Sequence, residues 1–262
     1  MTDSLLRHLP GFAVDVFRLC VWLVILAVVF VPLERWFALK SQRVLRPGIG
    51  SDVGLYFLSS LLPAMLLALP LSLLTRGIHL AVPDSYYAAV GALPVWVRLP
   101  LALLVGEIGF YWGHRWSHEW PILWRFHAVH HRAEAMDWLV NSRAHPVDMV
   151  FSRLVGLVPL YILGLAQPVA DKTDIVPVLV VIVSTFWGFW IHANMRWRFG
   201  PLEWLVATPA FHHWHHDLRD RRGQNYAAMF PWLDRLFGTH VLPRRWPEAY
   251  GVQERTDPPK LP

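Results

Sequence analysis

Long apolar runs constrain this chain more than any other feature. Lipid offers backbone groups no hydrogen-bond partner, so a segment that crosses it must be a helix of about 20 mostly apolar residues. Five stretches fit that description: Leu19 to Leu39, Val53 to Leu74, Val95 to Trp112, Val150 to Leu165 and Ile175 to Trp190, the fourth being short. With 55% hydrophobic and 16% charged residues among 262, the chain is too apolar for a soluble domain of its length. The expected fold is all-α: a multi-pass membrane protein of four to five transmembrane helices with a cytoplasmic, histidine-rich helical cap.

Charge sets the expected orientation. Arg35, Lys40, Arg43 and Arg46 follow the first run, whereas the connection after the second, through Pro83, Asp84 and Ser85, is poor in cations, so the N-terminus should face outward. Counting spans from there places the Arg115 to Arg143 segment inside, the Asp171-Lys172-Asp174 turn outside and everything from Arg196 onward inside. The first run lacks a small-residue cleavage site after it and reads as a retained span. The net charge of +5 is scattered among tryptophans and apolar segments, which suits anionic headgroups and excludes nucleic acid as a partner. The single cysteine, Cys20, lies in an apolar run, so a disulfide framework and a thiolate metal cage are both excluded. Glycine-rich nucleotide loops are absent.

Most of the fourteen histidines gather in three clusters. These are His114 and His118; His127, His130 and His131; and His212, His213, His215 and His216. Residues three or four apart share a helix face, so His114 and His118 can aim at one point, as can His127 with His130 and His131, and His212 with His215 and His216. His213 is rotated away and is the poorest ligand of its cluster. Eight converging imidazoles are too many for one tetrahedral ion; they imply two metals. Imidazole suits iron, copper, nickel and zinc alike, so the ligands alone do not choose the metal.

Other residues are candidates beside these. His192 ends the fifth run and can reach the same site. His145, in Arg143-Ala144-His145-Pro146, is a candidate ligand, a partner to a ligand or a turn residue at a helix start. Glu107 lies one heptad before His114 inside an apolar run, where an ionisable group suggests function; a hydrogen bond to a ligand imidazole is its expected role. Asp137, Asp148, Asp217 and Asp234 can serve in the same way or as solvated caps. His8, His79 and His240 read as peripheral, and the many tryptophans as interfacial anchors.

The ordered boxes His114-Arg115-Trp116-Ser117-His118, His127-Ala128-Val129-His130-His131 and His212-His213-Trp214-His215-His216 resemble those of the fatty acid hydroxylase and sterol desaturase superfamily. The flanks agree: Thr208-Pro209 before the last box, then Asn225-Tyr226 and Leu233-Asp234-Arg235-Leu236-Phe237-Gly238-Thr239. Glu134 to Pro146 looks most like the bacterial sterol desaturase-type members and their alkylglycerol monooxygenase relatives. The resemblance implies a non-haem centre of two irons, dioxygen as co-substrate, a lipid-like substrate (sterol, fatty acyl or ether lipid) to be hydroxylated or desaturated, and electrons from an external ferredoxin or small haem protein with its reductase. Family members carry a further histidine pair between the second and third boxes. Here His192 answers to one of them, and Arg196 stands where the other would be, leaving that place to His145 or water.

The expected division is 1–106 for N-terminal transmembrane helices, 107–240 for the catalytic region and 241–262 for a tail, flexible around Asp257-Pro258-Pro259-Lys260. The lack of a dilysine tail and of an appended haem domain favours a bacterial inner membrane. Two rival classes differ in pattern. A haem-binding electron carrier would need single histidines facing each other within the spans, and a metal transporter would need polar residues strung through them. A zinc protease is excluded, because Ile122 stands where the second histidine of its helix motif would fall.

Overall fold

A computed structural model describes residues 10–165, 174–219 and 223–252. His8, the Asp171-Lys172 part of the expected outer turn and the Asp257 to Lys260 tail lie outside the described residues. The described residues are helical, with two isolated bridges and no strand. In chain order the α-helices are α1 (Gly11–Trp36), α2 (Ile49–Ala81), α3 (Asp84–Gly91), α4 (Val95–Glu119), α5 (Pro121–His131), α6 (Pro146–Ile162), α7 (Val176–His192), α8 (Pro209–His215) and α9 (Trp232–Leu236). Short 3-10 turns lie at Trp138–Ser142 and Gly200–Trp204.

α1, α2 and α4 are long and apolar enough to cross a membrane. α6 and α7 are 17 residues each, about 25 Å of rise, against about 30 Å of hydrocarbon. The described residues therefore include three full-length candidate spans and, in α7, a shorter apolar helix. α4 is the instructive departure from the expected boundaries. It runs past Trp112 to Glu119, because nothing breaks it before Pro121. The residue ahead of a proline is driven out of the helical region, and Trp120 is extended (φ −94°, ψ 120°). The chain turns there, and Pro121 restarts it as α5. This corner folds the first two histidine boxes onto each other.

α4 and α6 pack almost backbone to backbone. A Cβ on Gly109 would collide with the Val155 carbonyl, so glycine is required at that crossing, as small residues are where membrane helices approach closely. The largest apolar cluster joins α1, α2 and α7 through Leu26, Phe30, Tyr56, Trp138 and Phe189. A second, around Tyr111, Ile191, Phe211, Tyr226 and Leu233, lies directly under the histidines.

Candidate metal centre

The histidine boxes converge into two groups. His114, His118, His127, His131 and His215 form one, and His130, His192, His212 and His216 the other; within each, candidate donor atoms all lie within 4.8 Å of one another. Helix geometry explains the split. Positions i and i+4 lie 40° apart around the axis, whereas i+3 falls on the other side of i. In α5, His127 and His131 serve the first group while His130 serves the second. α8 does the reverse: His212 and His216 serve the second group, and His215 the first. Adjacent histidines of one box thus belong to different centres. α4 contributes to the first group alone, and α7, through His192, to the second alone.

Backbone carbonyls and one carboxylate orient the rings. A carbonyl only accepts, so the nitrogen facing it carries the proton. Nδ1–H of His114 donates to Tyr226 O (2.7 Å), that of His215 to Gln224 O (2.7 Å), that of His130 to Arg143 O (3.1 Å) and that of His192 to Gly188 O (2.6 Å). His127 Nδ1 donates instead to Asp148 Oδ2 (3.0 Å), whose other oxygen accepts from the Ser117 hydroxyl. The Gln224 and Tyr226 carbonyls are presented by a turn at Asn225, which sits in the left-handed region (φ 55°) with its side chain bonded to the backbone at Phe211 and Val241. Asparagine tolerates that conformation better than most residues.

These anchors leave bare Nε2 lone pairs on His114, His127, His130, His192 and His215, and the ring nitrogens crowd together. His130 and His192 face each other at 3.1 Å, His192 and His212 at 2.9 Å, and His114 and His127 at 3.2 Å. Nε2 of His118 and of His215 is buried with no hydrogen-bond partner. Lone pairs this close repel unless a cation lies between them. With metal–nitrogen bonds of about 2.1 Å, neighbouring ligands around one ion stand about 3 Å apart, which matches these separations. Burial, reinforced by neighbouring imidazoles, pushes His130 down to about 3 and holds His131, His212, His215 and His216 well below the ordinary histidine range. The rings are therefore neutral at pH 7, the form that binds metal.

The remaining candidates fall outside both groups. His213 donates from Nε2 to Ala193 O and accepts at Nδ1 from the Tyr250 hydroxyl; it ties α8 to α7 and to the end of the described chain. His145 caps α6, its Nδ1 accepting from the Val147 amide. Glu107 is buried, but its carboxylate accepts from the Met229 and Phe230 amides (2.6 and 3.3 Å) and not from an imidazole. The expected bond from Glu107 to a ligand ring is thus replaced by one to a loop, because Glu107 sits two turns below His114. The role expected of Glu107 belongs to Asp148. Asp137 caps the 3-10 turn and pairs with Arg46, and Asp234 accepts from the Tyr226 and Ala227 amides. Asp217 makes an isolated bridge to Tyr250, while His79 pairs with Asp84 and His240 meets Arg235 at the periphery.

Sequence reasoning missed the ionic frame beneath His130. Asp52 on α2 binds Arg46 (2.7 Å) and Arg143 (2.7 Å), Arg46 also binds Asp137 (2.5 Å), and Arg143 supplies the carbonyl that holds His130. The frame joins two short stretches that lie 91 residues apart in the chain, so no local spacing marks it. Beside α4, Val105, Ile108, Trp112 and Trp116 form with Val155 and Pro159 an almost wholly apolar groove of about 460 Å³.

The model of the fatty acid hydroxylase family matches residues 99–239, which hold every histidine of both groups. The chain belongs to the fatty acid hydroxylase family. An ornithine lipid hydroxylase of Rhizobium tropici is 36% identical over 154 residues, covering 58% of this chain and 44% of the relative. An alkylglycerol monooxygenase of Danio rerio is 32% identical over 196 residues, covering 70% and 40%. A methylsterol monooxygenase of Arabidopsis thaliana is 27% identical over 197 residues, covering 73% and 68%. The match spans less than half the length of the first two relatives. No solved structure matches the chain.

Proposed function

We propose that this chain is a membrane-bound, non-haem di-iron oxygenase that uses dioxygen to hydroxylate a lipid-like substrate. The observation that carries this reading is the pair of histidine groups, whose buried Nε2 lone pairs face one another at about 3 Å. Nine imidazoles in two groups suit two ions, and separations of that size leave no room for a porphyrin plane, which disfavours the haem carrier. Relatives named as a hydroxylase and monooxygenases favour oxygen insertion over desaturation.

His114, His118, His127, His131 and His215 would hold one iron, and His130, His192, His212 and His216 the other. When bound, the iron pair supplies the means to activate dioxygen and the oxidising power to break an unactivated C–H bond. The chain's own residues do the rest. Nδ1–H anchors at Tyr226, Gln224, Arg143 and Gly188 keep the ligand nitrogens aimed inward, and Asp148 offsets part of the metal charge through His127. Burial keeps bulk water from the centre. The apolar groove beside α4 offers the substrate's hydrocarbon portion a place on the bilayer side.

Arg35 in the last turn of α1, with Lys40 and Arg43 after it, supports a histidine face on the cytoplasmic side, which in a bacterial inner membrane is within reach of an external electron donor such as a ferredoxin or a small haem protein. Elemental analysis and a visible spectrum of the detergent-purified chain test the reading. About two irons per chain, no haem band, and loss of metal in a His130→Ala, His215→Ala variant are expected. A haem band, or zinc without iron, would overturn it.

A further inference from the structure

A continuous file of aromatic rings leads from the histidines to the surface. The Tyr226 ring lies 5.2 Å from that of His118 between centroids, and Tyr111 is 6.0 Å from Tyr226. Trp112 follows at 5.6 Å, Trp116 at 6.0 Å, and Trp120 at 5.6 Å with its plane only 17° from that of Trp116. Tyr226 and Tyr111 are fully buried, whereas Trp120 is 51% exposed. α4 builds the file because Trp112, Trp116 and Trp120 recur every four residues on the flank opposite His114 and His118. Tryptophans at a helix end are ordinarily interfacial anchors. What distinguishes these is their unbroken contact, through two buried tyrosines, with a metal-ligand ring.

Tyr111 has a proton outlet as well. Its hydroxyl donates to Thr239 Oγ1 (2.9 Å), and that hydroxyl donates to Asp234 Oδ1 (2.7 Å). A phenol that is oxidised must shed its proton, and this relay accepts it and returns it.

We propose that Tyr226, Tyr111, Trp112, Trp116 and Trp120 form a route by which oxidising equivalents leave the metal centre for the surface when dioxygen is reduced without a lipid bound. The inference rests on the oxygenase reading above. Phenol and indole are oxidised only by strong oxidants, so the file conducts holes outward and does not serve a low-potential electron donor. At each hop one electron moves inward. Tyr226 bridges the ligand ring and Tyr111 by contact without itself being oxidised, so it keeps its proton. While Tyr111 is oxidised, its proton shifts to Thr239 and that of Thr239 to Asp234; both return when Trp112 reduces it. The net change is one electron gained at the centre, and one electron and the indole N–H proton lost from Trp120, the proton passing to water. A water-soluble thiol then returns a hydrogen atom to Trp120, and two such events yield one disulfide. Damage is thereby kept from the ligand histidines.

The test uses the iron-loaded full chain in detergent, reduced with dithionite, desalted and exposed to dioxygen over repeated cycles without lipid or thiol. Oxidised residues are mapped by peptide mass spectrometry, with metal-free protein as background. In the wild type, oxidation should appear on Trp116 and Trp120. Trp116→Phe should lose the Trp120 oxidation and gather it at Tyr111, Trp112 and the nearby histidines, and Trp116→Tyr should restore it. Dioxygen consumption with Trp120 unmarked, or with Trp120 marked equally in Trp116→Phe, would overturn the route. If the iron-loaded chain consumes no dioxygen, the oxygenase reading itself fails. The file is then judged on metal-free protein with a soluble ruthenium photo-oxidant: a tyrosyl radical signal should fall in Trp116→Phe and return in Trp116→Tyr, and equal signals in all three would overturn it.

Discussion

The two histidine groups share helices α5 and α8 yet are supported in different ways. The first is closed by α4 and includes His127, whose Nδ1 donates to the carboxylate of Asp148. The second is closed by α7, and its anchored rings, His130 and His192, donate only to carbonyls. Among the described residues no carboxylate bonds to an imidazole of the second group. Its charge support is one step removed: Asp52 and Asp137 pin Arg46 and Arg143, and the backbone of Arg143 holds His130. A carboxylate on a ligand ring raises that ring's basicity. On the proposed metal-binding reading, the first group should hold its ion more tightly, and the second should depend on the correct docking of α2.

The sharpest way to break this contrast is His192→Ala, which removes the only ligand from α7. Catalysis should be lost entirely while about half the iron remains by elemental analysis; loss of all the iron would mean that the two groups are not independent. Asp52→Ala comes next. Removing one partner from a buried ionic network costs about 3–5 kcal/mol, so thermal unfolding should shift down steeply, and the metal still bound should sit in the first group. Asp148→Asn reverses the bias: metal affinity of the first group should fall about 10–100-fold, read by competition with a chelator, with thermal stability less affected than by Asp52→Ala.

Acid should act on the metal-free protein through the same buried rings. His130 and His213 are held at about 3 and about 4, whereas in the unfolded chain they bind protons near pH 6.5. Their neutral burial is without penalty above pH 6.5. As pH falls below it, the unfolded chain gains protons that the folded chain refuses, and stability drops by about 1.4 kcal/mol per pH unit for each ring. Unfolding midpoints in denaturant between pH 7 and pH 5 measure this; a flat profile would mean that the rings are not buried neutral. The smallest effect belongs to His145→Ala, which loses a helix cap at a cost of about 1 kcal/mol. Its iron content should be unchanged, and any loss of iron would return His145 to the ligand set.

Much of the site is legible in the linear chain because metal binding demands residues of one kind at helical spacing. His114 with His118, and the two boxes that follow, announce shared faces and more imidazoles than one ion can use. Apolar runs likewise mark the helices, though not their ends: α4 outruns its apolar stretch because a helix stops at Pro121, not where hydrophobicity fades. Three features have no local signature. Asp148 meets His127 from a different helix, Glu107 turns to a distant loop, and the Asp52 frame joins positions about 90 residues apart in the chain. Each depends on which helices become neighbours, and a linear spacing does not contain that.

The sequence alone therefore determined the membrane class, the all-helical fold and the candidate metal-binding side chains, since apolar length and imidazole spacing are properties of a single helix. Tertiary structure alone decided which histidine serves which centre. His130 and His131 are chain neighbours, but 100° of helical rotation separates them. Only the placement of α4 on one side and α7 on the other gives each its own partners.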